Sequence, residues 1–177
     1  MRNMDLKKNI VITFFIVSII ACTTTPKGVR PISNFDINKY LGIWHEIARL
    51  DHSFEKDLVE VYAEYSLRED GGITVINRGK NPSNAKWKEA IGKAYFVNNE
   101  NIGSLKVSFF WPFYGGYNIV KLDNDYTMAL VIGPTLKYAW ILSRSTNPQV
   151  DLCDEYFAEA KKIGIADEKW IMIRDCI

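Results

Sequence analysis

The sequence predicts an all-β fold: an eight-stranded antiparallel up-and-down barrel, then one C-terminal helix and a short ninth strand. Three observations carry this. From residue 35 on, short runs alternate apolar and polar residues with a period of two. Eight such runs follow one another with turn residues between them, which suits a meander that closes and leaves no exposed edge. After residue 147 the apolar spacing becomes helical.

The elements are read in order. Gly42 to Leu50 is the first strand. Val59 to Arg68 is the second, with odd positions apolar and even positions mostly polar. Glu69-Asp70-Gly71-Gly72 is a hairpin turn, and Ile73 to Arg78 returns as the third strand. Asn81-Pro82-Ser83-Asn84 breaks it before Trp87 to Val97, the fourth, in which Gly92 marks a bend. Leu105 to Phe110 is the fifth, and Trp111 to Gly116 is read as a turn. Tyr117 to Leu122, Met128 to Ile132 and Tyr138 to Ser143 complete the eight. Asn147-Pro148 reads as an N-cap followed by proline at the first helical position. Leu152, Tyr156, Phe157, Ala160 and Ile163 form the apolar face of the helix, Gly164 stops it, and Trp170 to Ile173 is the ninth strand.

The chain begins differently. Arg2, Lys7 and Lys8 precede a charge-free run of 12 residues, Ile10 to Ala21, too short for the ~20 residues of a spanning helix. A basic region followed by a short apolar one is the form of an export signal. It ends in Ile19-Ile20-Ala21-Cys22, which resembles the lipobox of bacterial lipoproteins. That resemblance implies a signal peptide over residues 1–21, lipid on Cys22, an acylated tether over 22–33 and a barrel domain over 34–177. Several acyl chains anchor a protein stably, so it sits on a membrane rather than through it. Residue 23 is Thr rather than Asp, which by resemblance favours the outer membrane, facing the periplasm.

Composition narrows the function. With 22 Lys+Arg against 21 Asp+Glu there is no basic footprint for nucleic acid. Removing residues 1–21 changes the formal side-chain charge from +1 to −1. The aromatic content, 13%, survives that cut almost whole and suits a cavity wall as well as a core. No catalytic set stands out. His45 points outward if Trp44 points in, His52 lies in a loop, and neither pairs with a second ligand at metal spacing. Neither enzyme activity nor a cofactor nor a metal is expected. With Cys22 assigned to lipid, Cys153 and Cys176 remain as an even pair in an exported chain, either bridged or, in a reducing compartment, free.

Asp36 to Trp44, with Gly42-Ile43-Trp44 at its core, resembles the first conserved segment of the lipocalins. Ile141-Leu142-Ser143-Arg144 looks like that family's arginine at the closed end, while Leu122-Asp123-Asn124 departs from its usual Thr-Asp-Tyr middle motif. The runs Val107 to Asn118 and Trp140 to Arg144 look like the bacterial outer-membrane lipoproteins of the family. The resemblance implies a barrel floor made by Gly42, Trp44 and Arg144, with the guanidinium over the indole.

It also sets which residues line the cup. Parity from Trp44 turns Glu46 and Ala48 inward, and the family register adds Ala63, Val75, Asn77, Ala90, Val107, Phe109, Tyr117, Ile119, Val131, Tyr138 and Trp140. On the sixth strand Asn118 and Val120 are the alternative inward pair. Small residues among aromatics leave room for an apolar ligand. Glu46, Asn77 and the hydroxyls of Tyr117 and Tyr138 are candidate headgroup partners; Glu46 is alternatively held by an internal Arg or Lys or by water. The implied ligand is a fatty acid or lysophospholipid, for lipid storage or transport and envelope maintenance, with homodimer formation left open. The rival expectation is a structural envelope lipoprotein whose filled barrel acts through a protein partner.

Overall fold

The computed structural model describes residues 25–177, so the export signal and Cys22 lie outside the described residues. Nine strands form one antiparallel sheet: β1 (Gly42–Leu50), β2 (Val59–Leu67), β3 (Ile73–Lys80), β4 (Trp87–Phe96), β5 (Ser104–Phe110), β6 (Phe113–Leu122), β7 (Met128–Ile132), β8 (Ala139–Ser143) and β9 (Trp170–Met172). The order is β2 to β8, then β1, then β9, and β1 also pairs with β2, which closes eight strands into a barrel. The lower half of β1 pairs with β2 (Gly42↔Tyr65 to His45↔Tyr62) and its upper half with β9 (Ala48↔Met172 to Leu50↔Trp170). A four-residue helix α1 (Ile37–Tyr40), capped by the Asp36 carboxylate, crosses the closed end before β1. The sequence reading did not contain it.

Two apolar layers hold the barrel. The inner one contains Trp44, Tyr65, Ile73, Val75, Leu105, Ile119, Ala129, Val131 and Leu142. The outer one joins Ile47, Ala48, Met128, Leu130, Ile132 and Ile141 to Cys153, Tyr156 and Ala160 of the helix α2 (Val150–Lys162). Strand β7 is therefore buried along its whole length, and it reads as an unbroken apolar run because both its faces are covered. The Tyr156 hydroxyl donates to the Met128 carbonyl at 2.6 Å and fixes α2 against β7.

Beyond shifts of one or two residues at strand ends, three features differ from the sequence reading. Strand β6 starts at Phe113, because Phe110 pairs with Phe113 across a two-residue turn, so Gly115 and Gly116 are strand and not turn. Helix α2 starts at Val150 with Gln149 as N-cap and no side-chain cap bond, two residues after Pro148. The chain terminus is the reason: Ile177 N–H donates to the Pro148 carbonyl and the Ile177 carbonyl accepts from Val150 N–H. Third, part of the expected tether packs on the barrel. Val29 is buried in the outer layer, and Ile32 exchanges backbone hydrogen bonds with Ile119 and Gly103.

Cys153 and Cys176 are bonded, tying α2 to the segment after β9 across a separation of 23 residues. A loop of that length implies ~3 kcal/mol in the chain-entropy model. Reduction, or Cys153→Ser with Cys176→Ser, is expected to lower unfolding free energy by about that amount. Urea unfolding with and without reductant measures it, and coincident curves would show that the bridge contributes nothing.

Candidate functional site

The closed end is built from backbone carbonyls and one cation. Gly42 has φ +93°, a left-handed conformation, and a Cβ there would lie 3.3 Å from Nη1 of Arg144. The Arg144 guanidinium lies over the Trp44 ring, 4.1 Å from its centroid. It donates to the carbonyls of Ile43 (2.8 Å), Leu41 (2.8 Å) and Lys39 (2.9 Å). Trp44 is fully buried and its indole N–H donates to the Tyr40 carbonyl at 2.8 Å. The ion thus satisfies the ends of α1 and β1 while its flat face covers the indole, a contact of ~1–2 kcal/mol when desolvated.

Above this plug lies a floor of three phenols. The Tyr117 hydroxyl is 2.8 Å from those of both Tyr40 and Tyr65. Burial raises the pKa of all three well above the ordinary tyrosine value, so they stay neutral and satisfy one another.

A cavity of about 400 Å³ opens above the floor, within the usual range of small-molecule sites. The barrel is therefore not filled. Glu46, Ala63, Val75, Asn77, Val107, Phe109, Tyr117, Tyr138 and Trp140 all line it. Gly115 adds space, since a Cβ placed there would meet nothing within 4 Å. Gly92 lets the Phe109 ring lie against the strand, where a Cβ would come within 2.9 Å of that ring.

Four expected positions fall elsewhere. Ala48 faces the outer layer beside α2, because β1 bulges between Glu46 and Ala48: Glu46 pairs with Leu142 and Ala48 already with Ile141. One extra residue reverses the parity beyond it. Ala90 has its expected inward parity, opposite Asn77, but lines an adjoining crevice of about 150 Å³ bounded by Leu58, Arg78 and Lys88. Ile119 and Val131 do point inward, opposite each other, but are packed in the inner layer and do not reach the cavity. Of the alternatives on β6, Val120 packs on the outer layer and Asn118 bonds to Thr25, Ser104 and the Ile132 carbonyl.

The bulge turns Arg49 inward in place of Ala48. Its Nη1 donates to Glu46 Oε1 at 2.6 Å, and Nη2 donates to the carbonyls of Glu55 (2.9 Å) and Leu58 (3.3 Å). Arg49 thereby pins the β1–β2 connection over the barrel. That brings His52, Phe54 and Glu55 to the cavity wall, a placement that the sequence, which shows His52 only as a loop residue, does not specify. The Trp140 indole N–H donates to Glu55 Oε2 at 3.0 Å, and His52 Nε2 is 3.3 Å from the same oxygen. Burial, then the neighbouring Glu55 carboxyl, push Glu46 up to about 8; burial raises Glu55 too. Two acids facing one guanidinium balance when the pair shares one proton. Burial, then Arg49, lower His52 to about 4, so its ring is neutral where it meets Trp140. Leu142, Tyr62, Phe110, Phe113 and Pro134 complete the wall and rim. Among the described residues, no group of three His, Cys, Asp or Glu could hold a metal ion.

An eight-stranded barrel with an arginine–tryptophan plug at one end and a cup at the other defines a class. Residues 35–175 match the lipocalin-like domain, and the chain belongs to the lipocalin family. Its relatives include the outer membrane lipoprotein Blc of Citrobacter freundii, 49% identical over 158 residues, with 88% of this chain and 89% of that one covered. The protein of the same name from Escherichia coli (strain K12) is 48% identical over the same coverage. Insecticyanin from the tobacco hornworm Manduca sexta superposes with a TM-score of 0.66 over 84% of this chain and 85% of that one; at 18% identity this likeness concerns the fold alone.

Proposed function

We propose that the protein is an acylated lipocalin of the outer membrane that holds a fatty acid or a lysophospholipid in its barrel, storing or carrying lipid for envelope maintenance. The cavity carries the reading: about 400 Å³ of space, walled mainly by apolar and aromatic side chains. Relatives named outer membrane lipoproteins, similar along most of the chain, support the location, and Cys22 at the end of the export signal supports the anchor. Thr23, where an Asp would resemble an inner-membrane retention signal, also supports the outer membrane, with the periplasmic face as the default orientation. Lipocalins generally bind or transport ligands, and the reading assigns this one no catalysis. An acyl chain entering the cup gains ~0.8 kcal/mol for each methylene removed from water. Tyr117 is committed to two other phenols and Glu46 to Arg49, which leaves Asn77 and Tyr138 as headgroup candidates.

Titration with a fluorescent fatty acid, followed by displacement with lysophospholipid, tests the binding. Saturable uptake with one site per chain is expected, and no uptake by either route would end the reading. Trp140→Ala is expected to raise Kd about tenfold, equivalent to ~1.4 kcal/mol of lost contact. Equal binding by both proteins would remove Trp140 from the ligand wall. Mass analysis of the molecule extracted from protein purified from its source separates the two ligand classes.

A further inference from the structure

The β5–β6 hairpin carries aromatic side chains that the barrel does not bury. Phe110 is 77% exposed, Trp111 84% and Phe113 60%. The hairpin stands at the open end, where Phe110 and Phe113 reach the cavity rim and Trp111 projects beyond it. On the adjoining outer face Ile91 is 59% exposed and Trp87 51%. The register Lys93↔Ser108, carried up the strands, sets Ile91 level with Phe110. Five large apolar side chains thus share one flank of the mouth. Such a patch marks an interaction surface, because water is a poor solvent for it.

Charge and chain position say what covers it. The open-end connections, the one from α2 to β9 included, carry Lys56, Lys86, Lys137 and Lys169 against exposed Asp51, Asp57, Asp167 and Glu168, a formal balance of zero. Those at the closed end carry Asp36, Glu69, Asp70, Glu100, Asp123 and Asp125 against Lys39, Arg68 and Arg144, a balance of −3. An anionic surface therefore repels the floor but not the mouth, and so favours the approach of the open end. The strand that ends in the aromatic tip also holds the start of the described chain. Thr25 bonds to Asn118 of β6, whose amide donates to the Ile132 and Gly133 carbonyls where β7 ends toward the mouth. Asn118 is five residues from Phe113, ~17 Å along the strand. Cys22 is three residues before Thr25, a reach of ~10 Å.

We propose that this rim docks on a phospholipid bilayer containing anionic lipid, with the hairpin aromatics in the interface and the cavity mouth facing the membrane. Trp and Phe are favoured there, the one amphipathic and the other apolar. The orientation draws on acylation of Cys22, and so rests in part on the proposed function. The ligand then exchanges between bilayer and cup without crossing water.

The test uses the full chain purified from its membrane fraction, placed in vesicles of phosphatidylethanolamine and phosphatidylglycerol, part of them with brominated acyl chains. Tryptophan quenching is compared between wild type and Trp111→Phe. Trp111 does not line the cavity, so the substitution leaves fatty-acid uptake unchanged. Strong quenching that Trp111→Phe largely loses is the expected result. Identical quenching in both proteins would leave Trp111 in water and overturn the proposal. So would a dimer, seen without vesicles, that Trp111→Ser turns into monomer, since a second copy would then cover the patch. Intact mass reports acylation separately. On an unacylated chain mixed with the same vesicles, quenching still supports docking and its absence still overturns it. Failure of fatty-acid uptake in solution would sink the binding reading and leave the docking result standing.

Discussion

Arg49→Ala will lower the unfolding free energy by ~3–5 kcal/mol, the usual result of leaving one side of a buried ion pair alone. Arg49 is almost wholly buried, and so are both acids near it, Glu46 and Glu55. Its loss removes the guanidinium on Glu46 and unties the Glu55 and Leu58 carbonyls that hold the β1–β2 connection in place. Arg49→Lys will not restore the wild type, since one ammonium cannot span a carboxylate and two carbonyls in that fork. Urea unfolding of the three proteins measures the loss; one below ~1 kcal/mol would mean that the acids are satisfied without Arg49. The pH dependence follows from the direction of the Glu46 shift. Its pKa rises from the ordinary 4.5 to about 8 on folding, so between those values the native state holds a proton that the unfolded chain has lost. Stability from this group is complete below about pH 4.5 and falls as pH rises through about 8. Arg49→Ala will steepen that fall, because the remaining acids then have no cation to favour their ionised forms.

The same arginine shows where the sequence stops being legible. Strand β2 could be placed from the sequence because one face meets the cavity and the other meets water, and Val59 to Leu67 records that in its alternation. The floor was legible only through the family resemblance; the structure gives Gly42, Trp44 and Arg144 each a local demand to answer there: a left-handed backbone, a fully buried indole, a set of unpaired carbonyls. Ala48 was not legible. The bulge at Ile47 has no proline or glycine to mark it, and a single inserted residue moves every later side chain of β1 to the other face. Strict alternation from Trp44 consequently turns Arg49 outward, whereas the bulge turns it in. His52 and Glu55 were hidden for a longer-range reason, since their loop turns inward only through bonds to Arg49 and Trp140. Gly115-Gly116 misled in the opposite sense: paired glycines commonly turn a chain, but here they widen a cup. The α2 cap failed because its competitor, Ile177, lies far along the chain.

Gly115→Phe should separate binding from folding. Gly115 pairs with Val107, lines the cavity and has no atom within 4 Å of where its Cβ would stand. Its φ is not in the left-handed region, so a side chain brings no backbone strain. Phenylalanine suits a half-buried strand better than glycine and removes freedom from the unfolded chain, so stability should hold or rise by ~0.5–1 kcal/mol. The benzyl group must then occupy space that an acyl chain would fill. If it displaces roughly three methylenes, at ~0.8 kcal/mol each, Kd for a fluorescent fatty acid rises about fiftyfold. Thermal unfolding and ligand titration on the same sample give both numbers. Unchanged affinity in a stably folded Gly115→Phe protein would place the ligand outside the cup. A protein that acts only through its outer surface would show no binding for the substitution to remove. Weakened binding at undiminished stability is the outcome that a filled, purely structural barrel cannot give.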